Sequence, residues 1–277
     1  MWYQAVGAGS GSPLLVLHGG PGLPHDYLEP LTALADDRPV VFFDQLGCGR
    51  SERPVDPSLW RLGRFISEVG QVRLALGLER VHVLGHSWGA ILAVEHYLAQ
   101  PDGVLSLTLC SPSLSIPQWL DDVTRYRKLL PVDVQRVLDQ HERNGTTDSA
   151  EYEAAVMVFY RRHLCRLNPW PECLQRAMDE SGDDVYETLW GASEFHITGT
   201  LRNYDCTARL PDIRVPTLFT CGQYDEATPT TVGRFRTLIP GALHAVFENS
   251  AHVPHLEDTT EFLKTVRAAL LRSDRRS

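Results

Sequence analysis

The chain has 277 residues, 43% of them hydrophobic and 22% charged, with a formal net charge of −9. That size accommodates one large core with a smaller inserted unit, and the acidic balance argues against a surface for nucleic acid or anionic membrane. The opening MWYQAVGAGSGSPLLVLHGG lacks a basic flank before a long apolar stretch, and no run of about 18 apolar residues occurs, so the expectation is a cytoplasmic protein without leader or membrane span. Cys48, Cys110, Cys165, Cys173, Cys206 and Cys221 stand singly, with no CxxC pair, which favours reduced thiols over a zinc or thioredoxin-like site.

In chain order, short apolar runs at 14–17, 40–43, 81–84 and 105–110 are bounded by turn residues, as buried strands of a parallel sheet are. Amphipathic stretches at 27–35, 62–76 and 90–98 lie between them and predict helices. Strands alternating with helices give βαβ units and a mostly parallel, doubly wound sheet. The rhythm breaks after Pro112: residues 113–200 read as mostly helical, with candidates at 119–130, 132–143, 150–166 and 173–180 and no strand-like run. The strand pattern resumes at 216–221 and 243–247, a last helix is expected at 259–271, and the basic end 272–277 reads as solvated and frayed. The expected organisation is a core of residues 1–112 and 201–277 with a helical cap at 113–200.

Gly85-His86-Ser87-Trp88-Gly89 follows the run 81–84 directly and precedes the small, helix-prone residues 90–93. This is G-x-S-x-G in its strand–turn–helix setting, the signature of a nucleophilic serine on an α/β-hydrolase fold. Glycines flank the serine because the turn is too sharp for side chains there. His18-Gly19-Gly20-Pro21-Gly22, after the first buried strand, supplies the other half of an oxyanion hole, so the expected donors are the backbone amides of Gly20 and Trp88. His18 itself reads as a loop fastener, and Asp44 as fastening the turn 45–51.

In this fold the acid and then the base follow the serine in the chain. Of the late histidines, His252 lies in a loop after a strand and is chosen as base; His255 is the second choice, and His244 points to packing or solvent. The exit loop of the strand 216–221 offers Asp225 and Glu226, which spacing alone does not separate. Epoxide hydrolases and haloalkane dehalogenases place an aspartate at the elbow, which Ser87 disfavours. A general carboxylesterase, and a ligand receptor that kept the scaffold, stay open as alternatives.

These segments resemble the proline iminopeptidase family of serine exopeptidases, which includes the tricorn-interacting aminopeptidases. The resemblance rests on His18–Gly22, Phe43-Asp44-Gln45-Leu46-Gly47-Cys48-Gly49-Arg50-Ser51, the serine motif, Gly222-Gln223-Tyr224-Asp225-Glu226, Ser250-Ala251-His252-Val253-Pro254, and the segment from Trp190 to Thr200 ending in Ile-Thr-Gly-Thr. It implies Asp225 as the third triad member, and Glu194 with Glu226 around the free α-ammonium of the substrate. It further implies a small peptide or aminoacyl amide as substrate and no metal or organic cofactor. Similar sequences also serve as amidases and esterases, some of which remove an aminoacyl protecting group in antibiotic biosynthesis. No motif reads proline directly; Trp119, Phe159, Tyr160, Phe195 and Tyr204 are the candidates for an apolar pocket.

Overall fold

The computed structural model describes residues 1–275. Seven strands form one sheet: β1 (Trp2–Val6), β2 (Leu14–Leu17), β3 (Val40–Asp44), β4 (Val81–His86), β5 (Val104–Cys110), β8 (Thr217–Gly222) and β9 (Leu243–Phe247). Their order is β1-β3-β2-β4-β5-β8-β9; β1 runs antiparallel to β3, and every other neighbour pair is parallel. Residues of β2, β3, β4 and β8 are buried throughout, as strands covered on both faces must be.

Helices α1 (Leu62–Ala75), α2 (Trp88–Ala99), α8 (Pro229–Leu238), α9 (Pro254–Glu257) and α10 (Thr259–Asp274) accompany this sheet. Trp88 to Tyr97 of α2 are all buried, so this helix sits within the core rather than upon it. Between β5 and β8 the chain forms α3 (Ile116–Arg127), α4 (Val132–Asn144), α5 (Ala150–His163), α6 (Glu172–Asp179) and α7 (Asp183–Leu189), then the two-stranded hairpin β6 (Gly191–Ser193) and β7 (His196–Ile197).

Several expectations change. The stretch 113–200 contains a short hairpin, although its sequence carries no strand-like run. The expected helix at 27–35 is instead a 3₁₀ helix, His25–Leu34, with Pro30 inside it; proline has no amide for the α-helical ladder. α10 reaches Asp274, whose carboxylate accepts from Arg38 Nη2 at 2.8 Å and pairs with His82 Nε2 at 2.9 Å, so the chain end is anchored that far. The remainder of the predicted frayed tail, 276–277, lies outside the described residues. Among the described residues no helix is long and apolar enough to cross a membrane.

The turn between β4 and α2 spends a single residue, Ser87. A Cβ at Gly89 would stand 2.1 Å from the Leu17 carbonyl oxygen, and one at Gly85 would stand 2.2 Å from that of Gly89. Both contacts are with backbone, so neither relaxes by a rotamer change. Gly89→Ala is therefore expected to cost about 3 kcal/mol, lowering Tm by about 6–12 °C in calorimetry. An unchanged Tm would mean that the elbow yields.

Candidate active site

Parallel sheets of this kind bind ligands beyond the carboxyl ends of their strands; Gly20, Ser87, Asp225, Glu226 and His252 lie in such loops, and Trp88 opens α2 directly after Ser87. Ser87 caps α2 with φ 53° and ψ −117°, a left-handed conformation for a residue with a side chain. Its amide donates to Cys110 O at 2.9 Å and its carbonyl accepts from Ala90 N at 2.9 Å, which hold the strained turn from β5 and from the helix. Ser87 lines a cavity of about 180 Å³ together with Gly20, Tyr27, His86, Glu194 and His252.

His252 follows β9, and its Nδ1 lies 2.7 Å from Asp225 Oδ1. Asp225 is fully buried; the same oxygen accepts from Ala227 N at 2.8 Å, and Oδ2 accepts from Gly222 N at 3.2 Å. A ring nitrogen facing a carboxylate carries the proton, which leaves Nε2 with the free lone pair. The backbone of His252 is fixed from two sides. Its amide donates to His163 O and Leu164 O at 3.2 and 3.0 Å, and its carbonyl accepts from His86 Nε2 at 2.8 Å and Ser111 Oγ at 3.0 Å. The other late histidines are engaged elsewhere: His244 Nε2 lies 3.5 Å from Cys221 Sγ, and His255 Nε2 donates to Tyr27 O at 3.1 Å.

Gly20 adopts φ +104°, open to glycine without strain. The amides of Gly20 and Trp88 donate to no acceptor among the described residues. Their surroundings are tied through Gln45. Its amide N donates to His18 Nε2 at 2.9 Å, its Nε2 donates to His18 O at 3.0 Å, and its Oε1 accepts from Trp88 Nε1 at 2.9 Å. Burial holds the His18 imidazole down at about 4, so it stays neutral and can accept that bond. Asp44 fastens the following turn by accepting from Arg50 N at 2.9 Å, while its other oxygen takes His25 N at 3.0 Å and His25 Nδ1 at 2.7 Å.

The two glutamates come from distant parts of the chain and influence each other electrostatically. Glu194 stands at the turn between β6 and β7, where Oε1 accepts from the Tyr186 hydroxyl at 2.8 Å. Burial pushes its carboxyl up to about 7, against the pull of Tyr186 and His252. Glu226 is fully buried, and neither of its oxygens has a hydrogen-bond partner among the described residues. Its Oε1 lies 3.8 Å from His252 Nε2. Burial raises its carboxyl well above the usual carboxylate range, and the charges of Glu194 and Asp225 add to the rise. No arginine or lysine pairs with either glutamate among the described residues.

The α/β-hydrolase fold family model matches residues 12–259. The chain is 49% identical to a proline iminopeptidase of Heyndrickxia coagulans, over 93% of this chain and 90% of that one. It belongs to the proline iminopeptidase family. The crystal structure of the proline iminopeptidase of Mycobacterium smegmatis superposes with a TM-score of 0.90 at 38% identity, covering 99% of this chain and 95% of that one. The crystal structure of VinJ gives 0.94 at 39% identity, covering 98% and 94%. As a member of the iminopeptidase family the chain is a serine hydrolase, an aminopeptidase on the α/β-hydrolase scaffold.

Of the aromatic residues expected around this iminopeptidase-family pocket, Tyr160 lines the cavity. Trp119 is 3% exposed and packs edge-on at 5.7 Å from the His252 ring, while its indole N–H donates to Glu194 O at 3.0 Å. Phe159 and Phe195 pack on each other at 5.1 Å. Tyr204 is spent elsewhere, donating to Glu95 Oε1 at 2.8 Å. The walls that sequence reasoning missed include Tyr27, Tyr186, Leu164, Leu174, Met178 and Val253. Leu174 and Met178 stand four residues apart on α6, but nothing in the sequence pattern says which face of that helix meets a cavity.

Proposed function

We propose that this enzyme removes an N-terminal amino acid, proline foremost, from a peptide or amide by way of an acyl-serine. The observation that carries this is Glu226: a buried carboxylate with no hydrogen-bond partner at either oxygen, under the influence of the Glu194 charge and 3.8 Å from the base. A substrate's α-ammonium or pyrrolidinium would supply the missing cation. Each charge-assisted bond to it is worth about 1.5–3 kcal/mol. A cation held beside Nε2 sets the adjacent carbonyl near Ser87, which ties recognition of the chain end to position of the scissile bond.

In this reading Ser87 attacks the carbonyl carbon while His252 Nε2 takes its proton; Asp225 steadies the imidazolium and the amides of Gly20 and Trp88 receive the oxyanion. His252 then returns the proton to the leaving nitrogen, and water, deprotonated by the same imidazole, releases the amino acid. Proton and electron-pair movements close with side chains and water alone. Residues 113–200 act as the cap, contributing Glu194 and the wall of α6 and restricting access to chain ends.

Aminoacyl arylamides of proline, alanine and glycine, each free and N-acetylated, test the proposal. Acetylation removes the cation and is expected to abolish turnover; equal rates on free and blocked substrates would refute recognition of the amine and favour a carboxylesterase. Glu194→Gln is expected to lower kcat/KM about 10- to 100-fold, mainly through KM. An unchanged kcat/KM would remove Glu194 from the site.

A further inference from the structure

A chain of buried hydrogen bonds links both halves of the catalytic apparatus through two residues outside the triad. His86 Nε2 faces only a carbonyl, that of His252 at 2.8 Å, so this nitrogen must carry the ring proton. Nδ1 is then a lone pair, and the Tyr27 hydroxyl 2.8 Å away must donate to it. The Tyr27 oxygen in turn accepts from Gly19 N at 2.7 Å. Every member thus has one possible role, and the polarity runs one way, from the Gly19 amide through Tyr27 and His86 to the His252 carbonyl. Burial keeps His86 neutral by pulling its imidazole well below the usual range, and it raises the Tyr27 phenol. Neither group reverses its role near neutral pH.

The ends of the chain matter. Gly19 precedes Gly20, whose amide is the free donor, and neither glycine has a side chain to fix the peptide's direction. Pro21 has no amide to contribute. Tyr27 is itself held from below by His255, whose Nε2 donates to the Tyr27 carbonyl at 3.1 Å. At the other end His86 adjoins Ser87 and grips the backbone of the base. A Cβ on Gly19 would sit 2.9 Å from the Tyr27 hydroxyl and 3.2 Å from His86 Nδ1, so the loop rests directly on this pair.

We propose that Tyr27 and His86 are positioning residues that aim the Gly20 amide at the developing oxyanion and keep that donor in register with His252. The proposal rests on the assignment of Ser87, His252 and the Gly20 amide given above. It acts in the transition state, because the donor must meet an oxygen that moves out of plane as the tetrahedral centre forms.

The test is a double-mutant cycle of Tyr27→Phe, which keeps the ring and deletes the link, and His86→Gln, whose amide NH2 reaches for the His252 carbonyl while no acceptor stands at the Nδ1 position that faces Tyr27. Each is measured for kcat and KM on prolyl arylamide, inhibition by a prolyl boronate that mimics the tetrahedral state, and Tm. Each single change is expected to lower kcat and boronate affinity together, about 10- to 100-fold, with KM within about twofold. The double variant should be no worse than the poorer single one, since both break one chain. Unchanged kcat and boronate affinity, losses that multiply in the double variant, or a fall that tracks lost folded protein would overturn the proposal. If Tyr27→Phe does not fold, His86→Gln carries the same kcat and boronate comparison alone. Labelling of wild-type Ser87 by a fluorophosphonate separates the two levels: without it the triad assignment fails, whereas labelling with an indifferent Tyr27→Phe sinks only the positioning role.

Discussion

Ser87→Ala is expected to lower kcat by about 10⁶-fold while the folded protein and its affinity for substrate persist. The reasoning is local. The elbow's strain is imposed by Gly85, Gly89 and the bonds to Cys110 and Ala90, none of which uses the serine hydroxyl, so alanine inherits the same backbone. What disappears is the hydroxyl that the proposed mechanism uses as nucleophile. Burst kinetics with an activated prolyl ester, and fluorophosphonate labelling followed by peptide mass analysis, measure the loss directly. Residual turnover above about 1% of wild type, in protein free of native enzyme, would mean that water is attacking by another route.

Glu226→Gln is expected to move stability and activity in opposite directions. The buried carboxylate has a raised folded-state pKa, so the native protein binds more protons here than the unfolded chain does between the two values. The linkage sign is then negative: this site favours folding most at low pH, and the contribution is lost as pH rises past the unfolded carboxylate value towards the folded one. At pH 8 glutamine removes that penalty and should raise Tm by about 2–4 °C, equivalent to about 1 kcal/mol. In the same variant kcat/KM for free aminoacyl arylamides should fall about 100-fold, because the ammonium loses a charged partner. A Tm that drops at pH 8 would mean that Glu226 is paired in the free enzyme. With Glu194 titrating at about 7, KM of the wild type should also climb as pH falls through neutrality, since protons and substrate compete for the same pair. Calorimetry of a prolinamide cation binding to the Ser87→Ala protein, in buffers of different ionisation enthalpy, should record proton release through pH 7 and below it.

The residues that were legible in sequence are those whose neighbours are constrained by backbone. Gly85, Ser87 and Gly89 are readable because a side chain at either glycine would strike a carbonyl. His252 was selected by its loop, and the structure brings its ring to Asp225. Spacing did not separate Asp225 from Glu226 because adjacent residues leave a loop in different directions: one meets Nδ1 beside the Ala227 amide, the other approaches Nε2. β1 escaped notice because its three central residues are exposed, giving no burial alternation in an edge strand. The hairpin strands have three and two residues, too short for any period to register. α8 was missed although Thr228 and Pro229 carry a start signal, with the threonine side chain accepting from Thr231 N. Tyr27 could not be found at all, since its partner His86 is 59 residues away and neither residue type is diagnostic alone.

The carbonyls of His163 and Leu164 that receive the His252 amide come from the end of α5, far from β9 in sequence. The imidazole therefore takes its height above the sheet from the inserted segment as well as from its own strand. A chimera that exchanged residues 113–200 to alter substrate choice would also strip away those two acceptors. Grafts that reproduce a carbonyl pair at this spot should keep their rate; those that do not should lose speed and selectivity at once, however well the new pocket fits.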